Sequence, residues 1–178
     1  KDIDMPFCFS WANESWTRTW SNLGEKNTWS SKFEPSRDIE HTTGILLEQK
    51  YGNEKEWCDH FQYLVRFFRD ERYIKIDGKP LFLIYRPASI PCLARMIEYW
   101  KKLAEDARFP GIYVVGVNIE KRGILDAVLL QEPQFSMRDF VSEKIIDGNR
   151  LWNHILNKKV SANRKTYLCG FSGYDDTP

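Results

Sequence analysis

The sequence lacks several features that would place it in common functional classes. No apolar run approaches the roughly 18 consecutive residues that a membrane-spanning helix requires. The 26 basic and 25 acidic residues are interspersed and leave a net charge of +1, so no basic surface for nucleic acid or an anionic membrane is predicted. The three histidines show no metal-ligand spacing, and no glycine-rich phosphate loop is present. We therefore expect no membrane span, no nucleic-acid partner, no metal site and no cofactor.

The four cysteines, at positions 8, 58, 92 and 169, lie far apart and form no Cys-x-x-Cys pair. This pattern favours a reducing compartment, and thus the cytoplasm, although two disulfides remain an open alternative. The 178 residues are enough for a single domain with its own core. Residue 1 is Lys, and an apolar segment follows almost at once, so we expect the chain to be part of a longer one.

Aromatic residues, by contrast, are abundant, and they are concentrated near the beginning of the chain. An apolar run that starts at Phe7 ends in a dense set of polar and aromatic side chains, namely Asn13, Glu14, Trp16, Arg18 and Trp20. Indole rings can cover the C–H faces of sugars, while carboxylate, amide and guanidinium groups can bind hydroxyls. The segment is therefore typical of a sugar-binding cleft, although tryptophans that follow a strand are also common as packing residues.

Hydrophobic periodicity predicts an alternation of strands and helices. Apolar faces at helical spacing predict helices over residues 53–70, 91–108 and about 151–157. Asn53 and Glu56 have the spacing of a capping box at the start of the first helix, and Trp57 and Trp100 fall on core-facing sides. Short apolar runs without that period predict strands at Met5–Trp11, Ile45–Leu47, Leu81–Tyr85, Ile112–Val117, Ala127–Leu130 and Thr166–Phe171. The polar residues 21–44 predict a long loop at the rim of a site.

Strands that are apolar throughout and alternate with amphipathic helices indicate an α/β fold with parallel βα units. Polar residues follow several of these strands, as in Asn13-Glu14, Glu48-Gln49 and Tyr85-Arg86. In folds of this class, the functional site lies at the carboxyl ends of the strands. Asp77-Gly78 predicts a tight turn at the opposite end.

With these elements in place, the sequence resembles the WbsX-type glycosyltransferase family of bacterial polysaccharide and O-antigen clusters, whose domain is similar to family 99 glycoside hydrolases. The resemblance extends over nearly the whole chain. Its most specific parts are the Trp-Ala-Asn-Glu block at residues 11–14 and the Asp-Gly-Lys-Pro block at residues 77–80. The other matching parts are residues 15–18 with Trp20, Glu48-Gln49 with Tyr51, and residues 68–74, 81–87, 111–117 and 174–178.

The resemblance implies a (β/α)8 barrel of the TIM type, with a carbohydrate cleft at the carboxyl rim of its strands. It also implies that this chain is the middle portion of such a barrel. Family members have earlier strands, and a later Glu-Trp-x-Glu-Gly type motif whose two glutamates perform acid and base catalysis in the related hydrolases. That motif does not occur in this sequence. Residues 21–44 are a longer segment than the family leads us to expect, and Tyr174 stands where a Trp is usual.

Several polar and aromatic residues are candidates for substrate binding. The amide and carboxylates would bind sugar hydroxyls, the two indoles would stack on sugar rings, and the two arginines would suit phosphate or carboxylate groups. Ion pairing, burial and packing within the protein are the alternatives for the same side chains. Two carboxylates at neighbouring strand ends could also form the acid and base pair of a glycosidase, but the resemblance implies that the catalytic carboxylates lie later. The candidates are Asn13, Glu14, Trp16, Arg18, Trp20, Glu48, Gln49, Tyr85 and Arg86, and no catalytic residue is assigned.

The function that the resemblance implies is glycosyl transfer, or glycoside cleavage, in the biosynthesis of bacterial polysaccharide, O-antigen or lipopolysaccharide. The substrate would then be an oligosaccharide or a nucleotide-sugar. The alternative is a non-catalytic glycan-binding or inactive barrel fragment that lacks the late glutamates.

Overall fold

The computed structural model describes residues 4–17, 45–119, 123–142, 145–159 and 165–171. The predicted loop over residues 21–44 and the residues Arg18, Trp20 and Tyr174 lie outside these ranges. Tertiary contacts divide the chain into two compact units. The first unit includes residues 4–13, 50–119, 123–130 and 165–167, and the second includes residues 14–17, 45–49, 131–142, 145–159 and 168–171. The organisation of the chain as a single domain stays a prediction.

Each strand and helix predicted from the sequence has a counterpart in the structure, with bounds that differ by a few residues. One short helix, Gln134–Met137, was not expected from periodicity because it is only one turn long. In chain order, the elements are β1 (Phe9–Trp11), β2 (Trp16–Thr17), β3 (Ile45–Leu47), α1 (Glu54–Phe68), β4 (Lys75–Ile76), β5 (Lys79–Ile84), α2 (Leu93–Asp106), β6 (Tyr113–Val117), β7 (Ala127–Leu130), α3 (Gln134–Met137), α4 (Gly148–Leu156) and β8 (Thr166–Leu168).

The first unit is built on a sheet whose strand order is β1-β5-β6-β7-β8, with β4 paired to β5. The strands β1, β5, β6 and β7 run parallel to one another, whereas β4 is antiparallel to β5. Every residue of β6 is buried, as expected for a parallel strand that is covered on both faces. Helix α1 precedes β5 in the chain, and α2 connects β5 to β6. The α/β class with parallel βα units is therefore confirmed, and the arrangement is that of consecutive units in part of a TIM-type barrel.

Helix α1 begins where its local sequence predicts. The Oδ1 atom of Asn53 accepts hydrogen bonds from the backbone N–H groups of Lys55 at 3.0 Å and Glu56 at 3.5 Å. In return, Oε2 of Glu56 accepts a hydrogen bond from the backbone N–H of Asn53 at 3.0 Å. These reciprocal bonds form the predicted capping box, which satisfies backbone donors that the first helical turn leaves without partners.

The core of the first unit lies around the facing sides of α1 and α2. Trp57 of α1 is 5% exposed and Trp100 of α2 is 0% exposed, which confirms that both tryptophans are core residues. The indole Nε1–H of Trp100 donates a hydrogen bond of 2.9 Å to the backbone carbonyl of Trp57, so the two helices are joined by a polar contact as well as by packing. The aromatic rings of Phe61, Phe68 and Phe82 are buried in the same cluster.

The turn between β4 and β5 has the geometry that its sequence predicts. Asp77 and Gly78 have φ values of 51° and 75°, and the flanking residues Ile76 and Lys79 pair directly. Positive φ at both central positions is the mark of a type I′ hairpin turn. The turn leads into the amino end of β5 and so lies away from the carboxyl end of that strand.

The second unit contains a separate two-stranded sheet, in which β2 and β3 are antiparallel and Trp16 pairs with Leu47. The expectation that Glu48 follows a strand of the parallel sheet is therefore wrong. Three apolar residues at Ile45–Leu47 were enough to predict a strand, but they do not specify which strand pairs with it. None of the helices in the described part of the chain combines the length and apolarity that a bilayer crossing requires.

Candidate functional site

In the first unit, the structure brings three of the candidate residues to one edge of the parallel sheet. Trp11 at the end of β1 pairs with Ile84 at the end of β5, so the carboxyl ends of these two strands are adjacent. Asn13 lies two residues beyond β1, and Tyr85-Arg86 follows β5 directly. The backbone N–H of Tyr85 donates a hydrogen bond of 3.0 Å to the carbonyl of Trp11, which extends the strand pairing by one step.

Beyond that step, the side chain of Asn13, instead of backbone of a neighbouring strand, forms hydrogen bonds with the backbone of Arg86. Its Nδ2 donates a hydrogen bond of 2.9 Å to the carbonyl oxygen of Arg86, and its Oδ1 accepts one of 2.7 Å from the backbone N–H of Arg86. Asn13 has no exposed surface. Its amide is therefore directed at the protein backbone, which supports the packing alternative for this residue more than direct contact with a sugar.

A residue that the sequence analysis did not list as a candidate completes this contact. The hydroxyl of Tyr51 donates a hydrogen bond of 3.0 Å to the backbone carbonyl of Asn13. We call Asn13, Tyr51 and Arg86 together the amide clamp. No local pattern could have found it, because its members are separated by 38 and 73 positions from Asn13.

The amide clamp holds a pair of half-buried side chains at the strand ends. The guanidinium carbon of Arg86 lies 5.6 Å from the centroid of the Tyr85 ring, within the range of a cation–π contact. A guanidinium group held against an aromatic ring suits anionic or hydroxyl-rich ligands, since it offers several donors in a fixed plane. Whether Tyr85 and Arg86 bind substrate stays a prediction.

Aromatic side chains support the amide clamp from within the first unit. The ring of Trp11 meets that of Tyr51 at 6.2 Å and that of His60 at 5.1 Å, both nearly edge to face. His60 also lies 5.2 Å from the ring of Trp100. Burial among these rings lowers the pKa of His60, because the charged imidazolium would lose its hydration there. The imidazole is thus neutral at pH 7 and serves as part of the aromatic packing.

In the second unit, the β2–β3 sheet presents an apolar face to solvent. Trp16 is 67% exposed, and Leu47, which lies opposite it in the antiparallel pairing, is 64% exposed. Paired side chains on one face of a two-stranded sheet are close enough to form a continuous surface. The exposed indole and the exposed leucine thus form a small apolar patch on this sheet.

Polar groups adjoin this surface in the chain. The hydroxyl of Ser15 accepts a hydrogen bond of 3.0 Å from the backbone N–H of Gln49, which ties the start of β2 to the end of β3. Glu14 is half-buried, Glu48 is exposed and Gln49 is half-buried. The structure thus places Trp16 in this small sheet and Glu48 and Gln49 directly after its strand β3, while their role in binding stays a prediction.

A buried carboxylate that the sequence analysis missed lies in the second unit. Glu132 is 8% exposed, and its two carboxylate oxygens accept hydrogen bonds from Ser136, from the hydroxyl at 2.8 Å and from the backbone N–H at 3.0 Å. It thereby satisfies the backbone N–H of Ser136, which lies in the short helix α3. The signal was available, since Gln131-Glu132 follows the apolar run of β7 as other polar pairs follow their strands.

The described residues form an α/β protein with the amide clamp at the carboxyl edge of a parallel sheet. In the second unit, the indole of Trp16 is exposed. A family model described as "Glycosyltransferase WbsX" matches residues 1–135. The chain therefore belongs to the WbsX glycosyltransferase family.

Relatives among curated proteins are distant and much longer. Two proteins described as "Uncharacterized protein WxcX", from the B100 strain and a second strain of Xanthomonas campestris pv. campestris, are each 25% identical to this chain over 104 residues. The match covers 58% of this chain but only 12% of each relative. No solved structure gives a significant match.

Proposed function

We propose that this chain supplies a carbohydrate-binding surface for glycosyl transfer in the biosynthesis of a bacterial surface polysaccharide. Membership of the WbsX glycosyltransferase family supports a carbohydrate-related role. The single observation on which the proposal rests is the exposure of Trp16, 67%, compared with 5% for Trp57 and 0% for Trp100. An indole left open to solvent beside polar side chains is what stacking on a sugar ring requires.

In this proposal, Trp16 and Leu47 contact the apolar face of a sugar ring. Glu14, Glu48 and Gln49 would bind its hydroxyls, and Arg18 and Trp20 stay predicted substrate-binding residues. Burying one face of an indole, on the order of 60 Å², contributes about 1.5 kcal/mol to binding, equivalent to roughly tenfold in affinity. The loss of affinity on removing the Trp16 side chain should therefore be measurable even for a ligand that binds weakly.

We further propose that Tyr85 and Arg86 contact a charged part of the substrate, such as the diphosphate of a nucleotide-sugar or an acidic sugar. The support is the pairing of the Arg86 guanidinium with the Tyr85 ring at 5.6 Å, which presents several donors in one plane.

O-antigen or lipopolysaccharide would be the product, and the cytoplasm the compartment. Free thiols at all four cysteines agree with a reducing compartment.

The direction of the reaction can be tested by mass spectrometry of products. The protein is incubated with nucleotide-sugars plus oligosaccharide acceptors, and separately with the oligosaccharides alone. An acceptor that gains the mass of one sugar residue only when the nucleotide-sugar is present supports glycosyl transfer. Shortened oligosaccharides in both incubations indicate glycoside cleavage and contradict transfer. Binding without either product favours the alternative of a non-catalytic glycan-binding chain.

A further inference from the structure

Where the backbone pairing of β1 and β5 ends, the side chain of Asn13 makes the hydrogen bonds that a paired strand would otherwise make. After Tyr85 donates its backbone N–H to Trp11, the Asn13 amide binds both the N–H and the carbonyl of Arg86, and that carbonyl also accepts a hydrogen bond of 3.1 Å from the backbone N–H of Ser89. An asparagine amide has one acceptor and one donor end, so a single side chain satisfies both groups of one residue. The backbone of Arg86 is thereby fixed on both sides of its Cα atom.

Only an asparagine at position 13 fits this arrangement. An aspartate would place a second carboxylate oxygen against the Arg86 carbonyl where a donor is needed, and an alanine would remove both of the hydrogen bonds that Asn13 makes to the Arg86 backbone. Because Asn13 has no exposed surface, it does not itself reach a ligand. Tyr51 fixes Asn13 in turn, through the 3.0 Å hydrogen bond from its hydroxyl to the Asn13 carbonyl.

We propose that Asn13 and Tyr51 are positioning residues, which orient Arg86 and Tyr85 toward the carbohydrate substrate. This inference rests on the proposed function and changes the role of Asn13, from a residue that binds sugar hydroxyls to one that orients those that do. The aromatic contacts of Tyr51 with Trp11, and of Arg86 with Tyr85, connect the two ends of the amide clamp to the rest of the first unit.

The clamp can be tested without any ligand by amide hydrogen exchange in NMR spectra. In Asn13→Ala, the Arg86 amide loses its acceptor and should exchange faster by roughly five- to 100-fold, the range for one lost buried hydrogen bond. The amide of Val115 in β6 should keep its rate. Tyr51→Phe, which removes one hydroxyl, should accelerate Arg86 less, by roughly two- to tenfold. Tyr63→Phe is the matched control, because Tyr63 is 55% exposed on α1.

Binding measured on a glycan array of bacterial surface polysaccharides separates positioning from general stabilisation. Positioning predicts that Tyr51→Phe weakens binding by roughly two- to tenfold at temperatures well below unfolding, while Tyr63→Phe leaves it unchanged. An unaltered exchange rate at Arg86, or accelerated exchange there with full binding, overturns the inference. If the wild-type protein binds no glycan, the proposed function fails, and the exchange rates still decide whether the clamp orders Arg86. If Asn13→Ala does not fold, Tyr51→Phe provides the decision.

Discussion

The contrast between two tryptophans gives a stability prediction that follows directly from the structure. Trp100 is fully buried, and an aromatic side chain of its size removes about 200 Å² from water on folding. At about 25 cal/mol per Å², that burial amounts to about 5 kcal/mol, in line with the range of about 3–5 kcal/mol for Trp→Ala in a core. Trp16 is 67% exposed, so about a third of that area is covered, and Trp16→Ala should lose no more than about 1.5 kcal/mol.

Urea unfolding followed by far-ultraviolet circular dichroism measures both variants without relying on tryptophan fluorescence. We expect a large loss of unfolding free energy for Trp100→Ala and a small one for Trp16→Ala. If Trp100→Ala does not fold, Trp100→Phe serves in its place, because it keeps a ring but loses the hydrogen bond to the Trp57 carbonyl. Equal losses for the two alanine variants, or a loss from Trp100→Ala below about 2 kcal/mol, would refute the assignment of core and surface indoles.

Two further predictions concern the first unit. Burial lowers the pKa of His60, so at mildly acidic pH the unfolded chain binds a proton at this side chain and the folded chain does not. The contribution of His60 to the free energy of unfolding is therefore fully present above a pH of about 6.5 and is lost as the pH falls below that value. In His60→Gln the unfolding midpoint in urea should depend less on pH between about 7.5 and 5.5, and an unchanged dependence would contradict this role. Asn53→Ala removes the capping box and should lower the free energy of unfolding by about 1 kcal/mol in the same assay. Lys55→Ala, which breaks an exposed ion pair with Asp59, should lower it by less than about 0.5 kcal/mol. Equal losses for the two variants would contradict the capping role.

Much of the fold could be predicted because its signals are local. The capping pattern of Asn53 and Glu56 lies within four residues, and the apolar run Ala127–Leu130 by itself predicts the strand β7. The helical spacing of Trp57 and Trp100 identified both as core residues. Each of these features depends on neighbours in sequence, and the structure confirms each of them.

The contacts that define the site were harder to predict because they join distant parts of the chain. The pairing of Asn13 with Arg86 spans 73 positions, and nothing in either segment indicates the other. The same limit explains the error at Glu48, since the strand Ile45–Leu47 was found but its antiparallel partner was not. Glu132 follows β7 as other polar residues follow their strands, so its position was predictable, but its burial depends on the hydrogen bonds to Ser136 and not on the strand pattern.

Isothermal titration with an oligosaccharide selected from the glycan array tests the central claim most directly. Trp152 is the matched control, because it is also exposed, at 45%, and stacks on Phe171 in the second unit. We predict that Trp16→Ala weakens binding by roughly tenfold, the value of one indole face, while Trp152→Ala keeps the affinity of the wild-type protein. Equal affinities for Trp16→Ala and the wild-type protein would contradict the account.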